Sequence, residues 1–584
     1  MNMKFKFGQG RQCGSSGIVV LISLVMIVML IGQVLAPVLL ATSDGITLQD
    51  ALNEIASNNY VAWAVGGLNA NEVPYATGVN TLAGDGGLTY NATTNILSTA
   101  TGRGANYVIA ASDAPAIWKA QADYIVTTNA TDTLRTAISA LPATGGTIIL
   151  SSGTFNLVPR IDFKSGLNLE GQGSSTLINV GEGSSANSGW RLFFGNGVLT
   201  AYNIRLANMK FDLGNNTHAT AYHFTNGENI LVENLIITNG QKTSAYSAPS
   251  VDTSTNVTVR DLLVDNVYSL GTTDDTNLLV ERVVLSHTHD NGLIAGNTKG
   301  ALFTQNVLYD VAYGIDIGHS NNVTISQTRI SYPKGVGFIH LEPTGTIWDG
   351  IMRNITIVDN IFVGSGRDYY GVLTNNVSGG TIQGLIIEGN QFVNTRYAVT
   401  LKSVSQFIIS GNTFTNSDRG FEGQTVSDGL VSNNTFLNAG YEYSPIHTNP
   451  AHNVSEIGNI INGTAAGIPA IHNEGASDNN TIIGNVLSNI GAVSGSEIIK
   501  GGSNSIVKSN VGYKTENSGA SVGTGAQQSI AHGLNFTPTK QQIGLWSDND
   551  TMVTLWQSAT PDATNIYVTN NISGSAWHWA TVGN

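Results

Sequence analysis

The chain predicts an all-β architecture: a parallel β-helix, preceded by an N-terminal transmembrane helix and followed by a small C-terminal β domain. Three observations predict it. A short phrase recurs, as "IIEGNQFVN" at 386–394, "IISGNTFTN" at 408–416, "LVSNNTFLN" at 430–438 and "TIIGNVLSN" at 481–489. Its asparagine falls at Asn390, Asn412, Asn434, Asn459, Asn485 and Asn510, at intervals of 22 to 26 residues. Finally, 67 glycines with only 11% charged residues fit tight turns and short strands better than charged-faced helices. A β-branched repeat of this period admits a leucine-rich horseshoe or a parallel β-helix. The horseshoe needs a leucine framework, whereas these units hold short strands between Asn and Gly.

Residues 1–17 carry Lys4, Lys6 and Arg11 and no acid. The 24 residues from 18 to 41 contain no charge, enough at 1.5 Å per residue to cross a bilayer core of roughly 30 Å. Basic charge before the run and Asp44, Asp50 and Glu54 after it predict a cytoplasmic N-terminus and an external bulk. A processed leader is the alternative, and would leave the bulk secreted or on a virion surface. The lone Cys13 precedes the run, so no intrachain disulfide forms. Beyond the run, 23 basic residues face 40 acidic ones, which disfavours a nucleic-acid partner. Fourteen N-x-S/T sequons are compatible with an exterior and glycosylated protein, although an Asn/Thr-rich chain generates such matches by itself.

Residues 42–110 read as a stalk or connector, with a short helix at 47–57 and a hairpin within "GGLTYNATTNILST" (86–99). The β-helix is assigned to 111–515. Leu134, Ala137, Ile138 and Leu141 recur at helical spacing, with Asp132 as the cap and Pro142 and Gly145-Gly146 as the stop. Such a helix would cover the open end of the stacked sheets. Each repeat is then one coil of three short strands. The asparagine stands at the same bend of successive coils, about 4.8 Å apart, donating to one neighbour and accepting from the other. Ile408, Phe414, Phe421 and Ile446 are expected in the inward stack. Residues 520–584 break the period and read as a separate β-rich domain, with Trp546, Trp556, Trp577 and Trp579 clustered. Its "AHGLNFTPT" (531–539) is similar to the opening of small β domains appended to phage tail and bacterial surface proteins.

At "DTLRTAISALPATGGTIILSSGTFNLVPRIDFKSGLNLEGQG" (132–173) the sequence resembles the pectate lyase superfamily of right-handed parallel β-helices, which includes phage tailspikes and surface proteins. The resemblance covers roughly 111–515 and implies the fold; the scaffold hosts lyases, hydrolases and binders. Its galacturonan hydrolases carry Asn-Thr-Asp, Asp-Asp, Gly-His-Gly and Arg-Ile-Lys in successive coils. Here Asp274-Asp275 and Gly318-His319-Ser320 match two of these in part, no Asn-Thr-Asp occurs, and "TRIS" (328–331) lacks the lysine. Lyases of the superfamily hold Ca²⁺ on carboxylates, so Ca²⁺ is the ion the resemblance would bring. No other cofactor is identified.

Aligning "SHTHDNGLIAG" (286–296), "YDVAYGIDIGH" (309–319) and "YPKGVGFIHLE" (332–342) puts His287 near Asp310 and His319 near His340, with Asp290, Asp316 and Glu342 on the same outer face. Carboxylates one or two coils apart can reach the separations used in glycoside hydrolysis, which makes Asp290, Asp316, His319 and His340 the catalytic candidates. His287, Asp310 and Glu342 are ligand-binding candidates. A second outer column, Lys402, Glu422, His447 and His472, recurs at 20, 25 and 25 residues and could line a sugar groove. The plainer alternative is that loop His and Asp serve turn hydrogen bonds and the second column is a solvated face.

Three function classes follow: a surface protein binding polysaccharide, a polysaccharide lyase or glycoside hydrolase, and a viral spike or tail-fibre receptor-binding protein. All converge on carbohydrate, because the long face of a solenoid offers repeated shallow subsites to a linear glycan. The expected partners are a polysaccharide or cell-surface glycan, the membrane through residues 18–41, and a homo-oligomer.

Overall fold

The computed structural model describes residues 106–582 except 185–190, 196–200, 242, 336, 344–349, 367–368, 375–378, 503 and 548–554, together with three strands between 79 and 99. The cytoplasmic segment, the apolar run 18–41 and the helix expected at 47–57 lie outside the described residues. Among the described residues, no helix is long and apolar enough to cross a membrane. In the first of two compact units, Val79–Leu82, Leu88–Asn91 and Ile96–Thr99 form an antiparallel sheet. Asn91 pairs with Ile96, which is the hairpin expected there.

The second unit is dominated by a β-solenoid of about 13 turns. A representative coil runs Asn291–Gly296, Lys299–Thr304 and Val307–Tyr309, one strand on each of three faces. The next coil repeats it in parallel, with Leu293 on Ile315, Ala301 on Val323 and Leu308 on Ile330. We call these the first, second and third faces. Inward residues stack like on like: Phe362, Phe392, Phe414 and Phe436 form one ladder, with successive ring centroids 4.9, 5.1 and 4.7 Å apart. Each buried Leu, Ile or Phe contributes roughly 1.5–3 kcal/mol. Of the four residues expected inward, Phe414, Phe421 and Ile446 are buried, but Ile408 is 38% exposed. Strand alternation explains the difference, since its neighbours Phe407 and Ile409 take the inward positions.

The helix Ala130–Ala140 lays Leu134, Ala137 and Ile138 onto the first coils. Its cap is Asn129 rather than Asp132: the Asn129 side chain accepts the Asp132 backbone N–H at 3.1 Å. Asparagine fits that role because its short side chain reaches the orphan donors of the first turn.

The bend between the second and third faces carries the asparagine ladder. Backbone N–H groups of Asn390, Asn412, Asn434, Asn459 and Asn485 each donate to the side-chain oxygen of the next asparagine along, at 2.9–3.1 Å. Each side-chain amide also reaches a backbone carbonyl, as Asn412 does to Ile387. The ladder extends upstream through Asn360, Thr328 and Asn306.

At the C-terminal end, Glu516–Val522, Ala576–Val582 and Ile543–Ser547 form one antiparallel sheet, and Gln527–Ala531, Asn565–Asn570 and Leu555–Gln557 another. Trp577 and Trp579 lie in the core, whereas Trp546 and Trp556 are exposed, because alternation along separate strands sends them to opposite sides.

Candidate functional site

Strand register carries one outward column down the first face. His223 pairs with Ser250, and the line continues through Gly271, Ile294, Asp316, His340, Leu373, Thr400, Glu422, His447 and His472. The sequence separates Asp316 and His340 from Glu422, His447 and His472; the structure puts all five in one line. The interval of 33 residues between His340 and Leu373 hides the common register. Lys402 leaves the column, pairing with Gln424 two residues further along the strand.

One cluster lies around His340. Its Nδ1 is 3.2 Å from Asp316 Oδ1 and 3.6 Å from Glu342 Oε1. Glu342 joins because residues two apart on a strand share a side. Asn291 donates to the other Asp316 oxygen at 2.7 Å, and the Tyr313 ring stacks on His340 with centroids 5.7 Å apart.

A second cluster lies further down the same column. The His447 imidazole stands between two carboxylates, Nε2 3.0 Å from Glu474 and Nδ1 4.0 Å from Glu422. Arg419 pairs closely with Glu422 and lies over two rings, 4.3 Å from the centroid of Tyr443 and 5.3 Å from that of Tyr397. Burial, and then the Arg419 charge, hold His447 below the ordinary imidazole range; burial does the same to His472. The Tyr397 phenol is pushed up to about 12, by burial first and then by its hydrogen bond to Tyr443.

Other candidates stand elsewhere. His319 is a corner residue with φ 51°, and its N–H donates to the Glu342 carbonyl at 3.1 Å. It does not face His340, because Asp316 takes that register. Asp274 is likewise a left-handed corner residue, φ 58°, so the two partial motifs mark turns. His287 and Asp310 occupy the corner leading into the first face, in a charge chain: His287 Nδ1 is 2.6 Å from Asp265, Nε2 is 3.6 Å from Asp310, and Lys334 is 2.7 Å from Asp310. Asp290 precedes the strand that begins at Asn291, and its carboxylate acts on the Tyr268 phenol rather than on Asp316.

Sequence reasoning missed Arg419, Tyr397, Tyr443 and Glu474. One signal was available: Tyr313, Tyr370, Tyr397 and Arg419 each stand three residues before a member of the column, namely Asp316, Leu373, Thr400 and Glu422. They line the column on one side.

Residues 339–498 match the family model described as "Periplasmic copper-binding protein (NosD)". The fold is the right-handed parallel β-helix of the pectin lyase-like kind. Solved structures with similar coils include a hyperthermoactive exopolygalacturonase from Thermotoga maritima, at 15% identity and TM-score 0.39, over 53% of this chain and 88% of that one. PfbA, a surface adhesin of Streptococcus pneumoniae, matches at 12% identity and TM-score 0.40, over 62% and 89% of the two chains. The tailspike protein of E. coli bacteriophage HK620, in complex with a pentasaccharide, matches at 12% identity and TM-score 0.48, over 92% and 100%. At such identities none of these says anything about chemistry in this chain. No curated protein matches it.

Proposed function

We propose that the chain is a surface β-helix protein that binds a linear polysaccharide along its first face. The observation that carries this reading is the single outward column from Asp316 to His472, which crosses seven successive coils. At about 4.8 Å per coil it spans roughly 29 Å. Carboxylates and imidazoles suit sugar hydroxyls, and the flanking Tyr313, Tyr370 and Tyr397 offer ring faces that lose little entropy on binding. Each subsite is shallow, so affinity accumulates along the glycan or across several copies on a surface. Residues 18–41 would anchor the chain in a membrane with the solenoid outside. The test is a glycan array probed with the full chain. Hits should be linear glycans, and Tyr397→Ala and His472→Ala should each weaken binding by about tenfold. An array with no hit would leave the protein as a structural arm.

A second reading has its own support. Single donor atoms of Asp316, His340 and Glu342 lie within 4.8 Å of one another, and His340 and Glu342 fall in the segment matched by the NosD model. One imidazole and two carboxylates fit a divalent ion of the copper or zinc type, and do not fit a soft cuprous ion, which prefers sulfur. These three residues would hold it, with Asn291 orienting Asp316.

A further inference from the structure

The second face opens on an asparagine ladder of its own, this one exposed. Strand register aligns Asn203, Asn229, Asn256 and Asn277 in successive coils, each in the left-handed conformation with φ between 55° and 58°. Asparagine suits that backbone because its short polar side chain bonds locally. Each side-chain amide donates to the side-chain oxygen of the asparagine one coil earlier, at 3.0 Å in all three steps. The next position is Gly300, φ 78°, and the one after it is Asn322. Glycine keeps the backbone conformation but supplies no rung. Among the described residues, Asn277 Oδ1 therefore accepts no hydrogen bond and Asn322 Nδ2 donates none, while Asn322 Oδ1 carries the ladder on by accepting from Asn354 at 2.9 Å. At a second glycine of the column, Gly384, the adjacent Gln383 supplies a bond to the next coil, reaching Gln406 at 3.1 Å.

We propose that the missing rung at Gly300 is a binding site for the acetamido group of an N-acetylated amino sugar. A hollow of about 480 Å³ opens there, bounded by Asn277, Gly300 and Asn322 and by the paired outward residues Leu279 and Leu302. From Asn277 to Asn322 is two coils, roughly 9–10 Å, which leaves room for one planar amide with a hydrogen bond at either end. The direction of the ladder fixes how that amide lies: its N–H donates to Asn277 Oδ1, and its carbonyl oxygen accepts from Asn322 Nδ2. A trans secondary amide carries those two groups on opposite edges, as the acetamido group does. A carboxylate has no donor for Asn277 Oδ1, and a lone hydroxyl is too short to reach both ends. No charged side chain lines the hollow, which suits a neutral group, and the acetyl methyl can cover Leu279 and Leu302, the latter 38% exposed. The site lies on a different face from the column of Asp316 and His472 and does not rest on the reading of that column.

The experiment uses the full chain and two probes, triacetylchitotriose and cellotriose, which share a backbone and differ in carrying acetamido groups or hydroxyls. Saturation-transfer nuclear magnetic resonance should show transfer to the acetyl methyls of triacetylchitotriose and none to cellotriose. Gly300→Asn fills the gap from within: an added β-carbon lies 3.5 Å from Asn277 Oδ1, an ordinary contact, and asparagine already holds this backbone conformation in the neighbouring coils. It should weaken triacetylchitotriose binding at least about tenfold while the thermal midpoint holds or rises. Asn322→Asp should weaken it similarly, since the carboxylate still accepts from Asn354 but has no proton to donate into the gap. Tyr397→Ala, on the first face, should change nothing here. Absence of transfer to triacetylchitotriose, equal binding of cellotriose, or binding that Gly300→Asn leaves unchanged would each overturn the proposal, and none of the three bears on the first-face column.

Discussion

The side-chain oxygen of Asn434 accepts two hydrogen bonds from Asn412, one from its backbone N–H at 2.9 Å and one from its side-chain amide at 3.0 Å. Asn412 in turn receives the same pair from Asn390 and donates to the Ile387 carbonyl. One side chain therefore bonds buried groups in both neighbouring coils.

Asn412→Ala should leave the Asn390 N–H and the Ile387 carbonyl short of a partner in a site closed to water. The expected cost is about 2–4 kcal/mol, larger than for a typical surface change. Because a solenoid is stabilised by neighbouring coils, the loss should be local. Hydrogen exchange should quicken at 385–437 and stay unchanged at 255–310.

Glu456 is fully buried inside the solenoid beside Asn473, and burial pushes its carboxyl up to about 8. The folded state thus prefers the protonated acid. Its stability is intact below the ordinary glutamate pKa of 4.5 and is lost as pH rises through the window from there to about 8. Glu456→Gln keeps the shape without the charge and should stabilise the protein by roughly 2–4 kcal/mol at pH 7, with little effect at pH 4. Urea midpoints of both proteins at the two pH values check this.

His447 and His472 both titrate below the ordinary imidazole value because burial penalises the cation. Their neutral forms contribute stability above that value, and it is lost as pH falls through their lowered pKa values. Nuclear magnetic resonance titration of the His447 ring should give a midpoint below 6.5. Arg419→Gln should raise that midpoint, since it removes a cation acting on the ring.

If Asp316, His340 and Glu342 hold a divalent ion, calorimetric titration with Cu²⁺ or Zn²⁺ should show one site per chain. His340→Ala should weaken it by about 10- to 100-fold or more, and Asn291→Ala less. An unchanged isotherm in His340→Ala would place any bound ion elsewhere.

The recurring asparagine and the alternation around it were enough to read the solenoid, because both are local: a tight bend needs a side chain that bonds its neighbours, and a strand shows one side in every two residues. The cap helix was legible for the same reason, from Leu134, Ala137 and Ile138 at helical spacing. What stayed hidden depended on register between coils of unequal length. The step from His340 to Leu373 is 33 residues, while that from Asp316 to His340 is 24, so no fixed period could align His340 with Glu422 and His447. Only the tertiary structure brought Arg419 over Tyr397 and Tyr443, and Ser250 against His223, because those contacts arise between coils, where stacking rather than spacing along the chain decides which side chains meet.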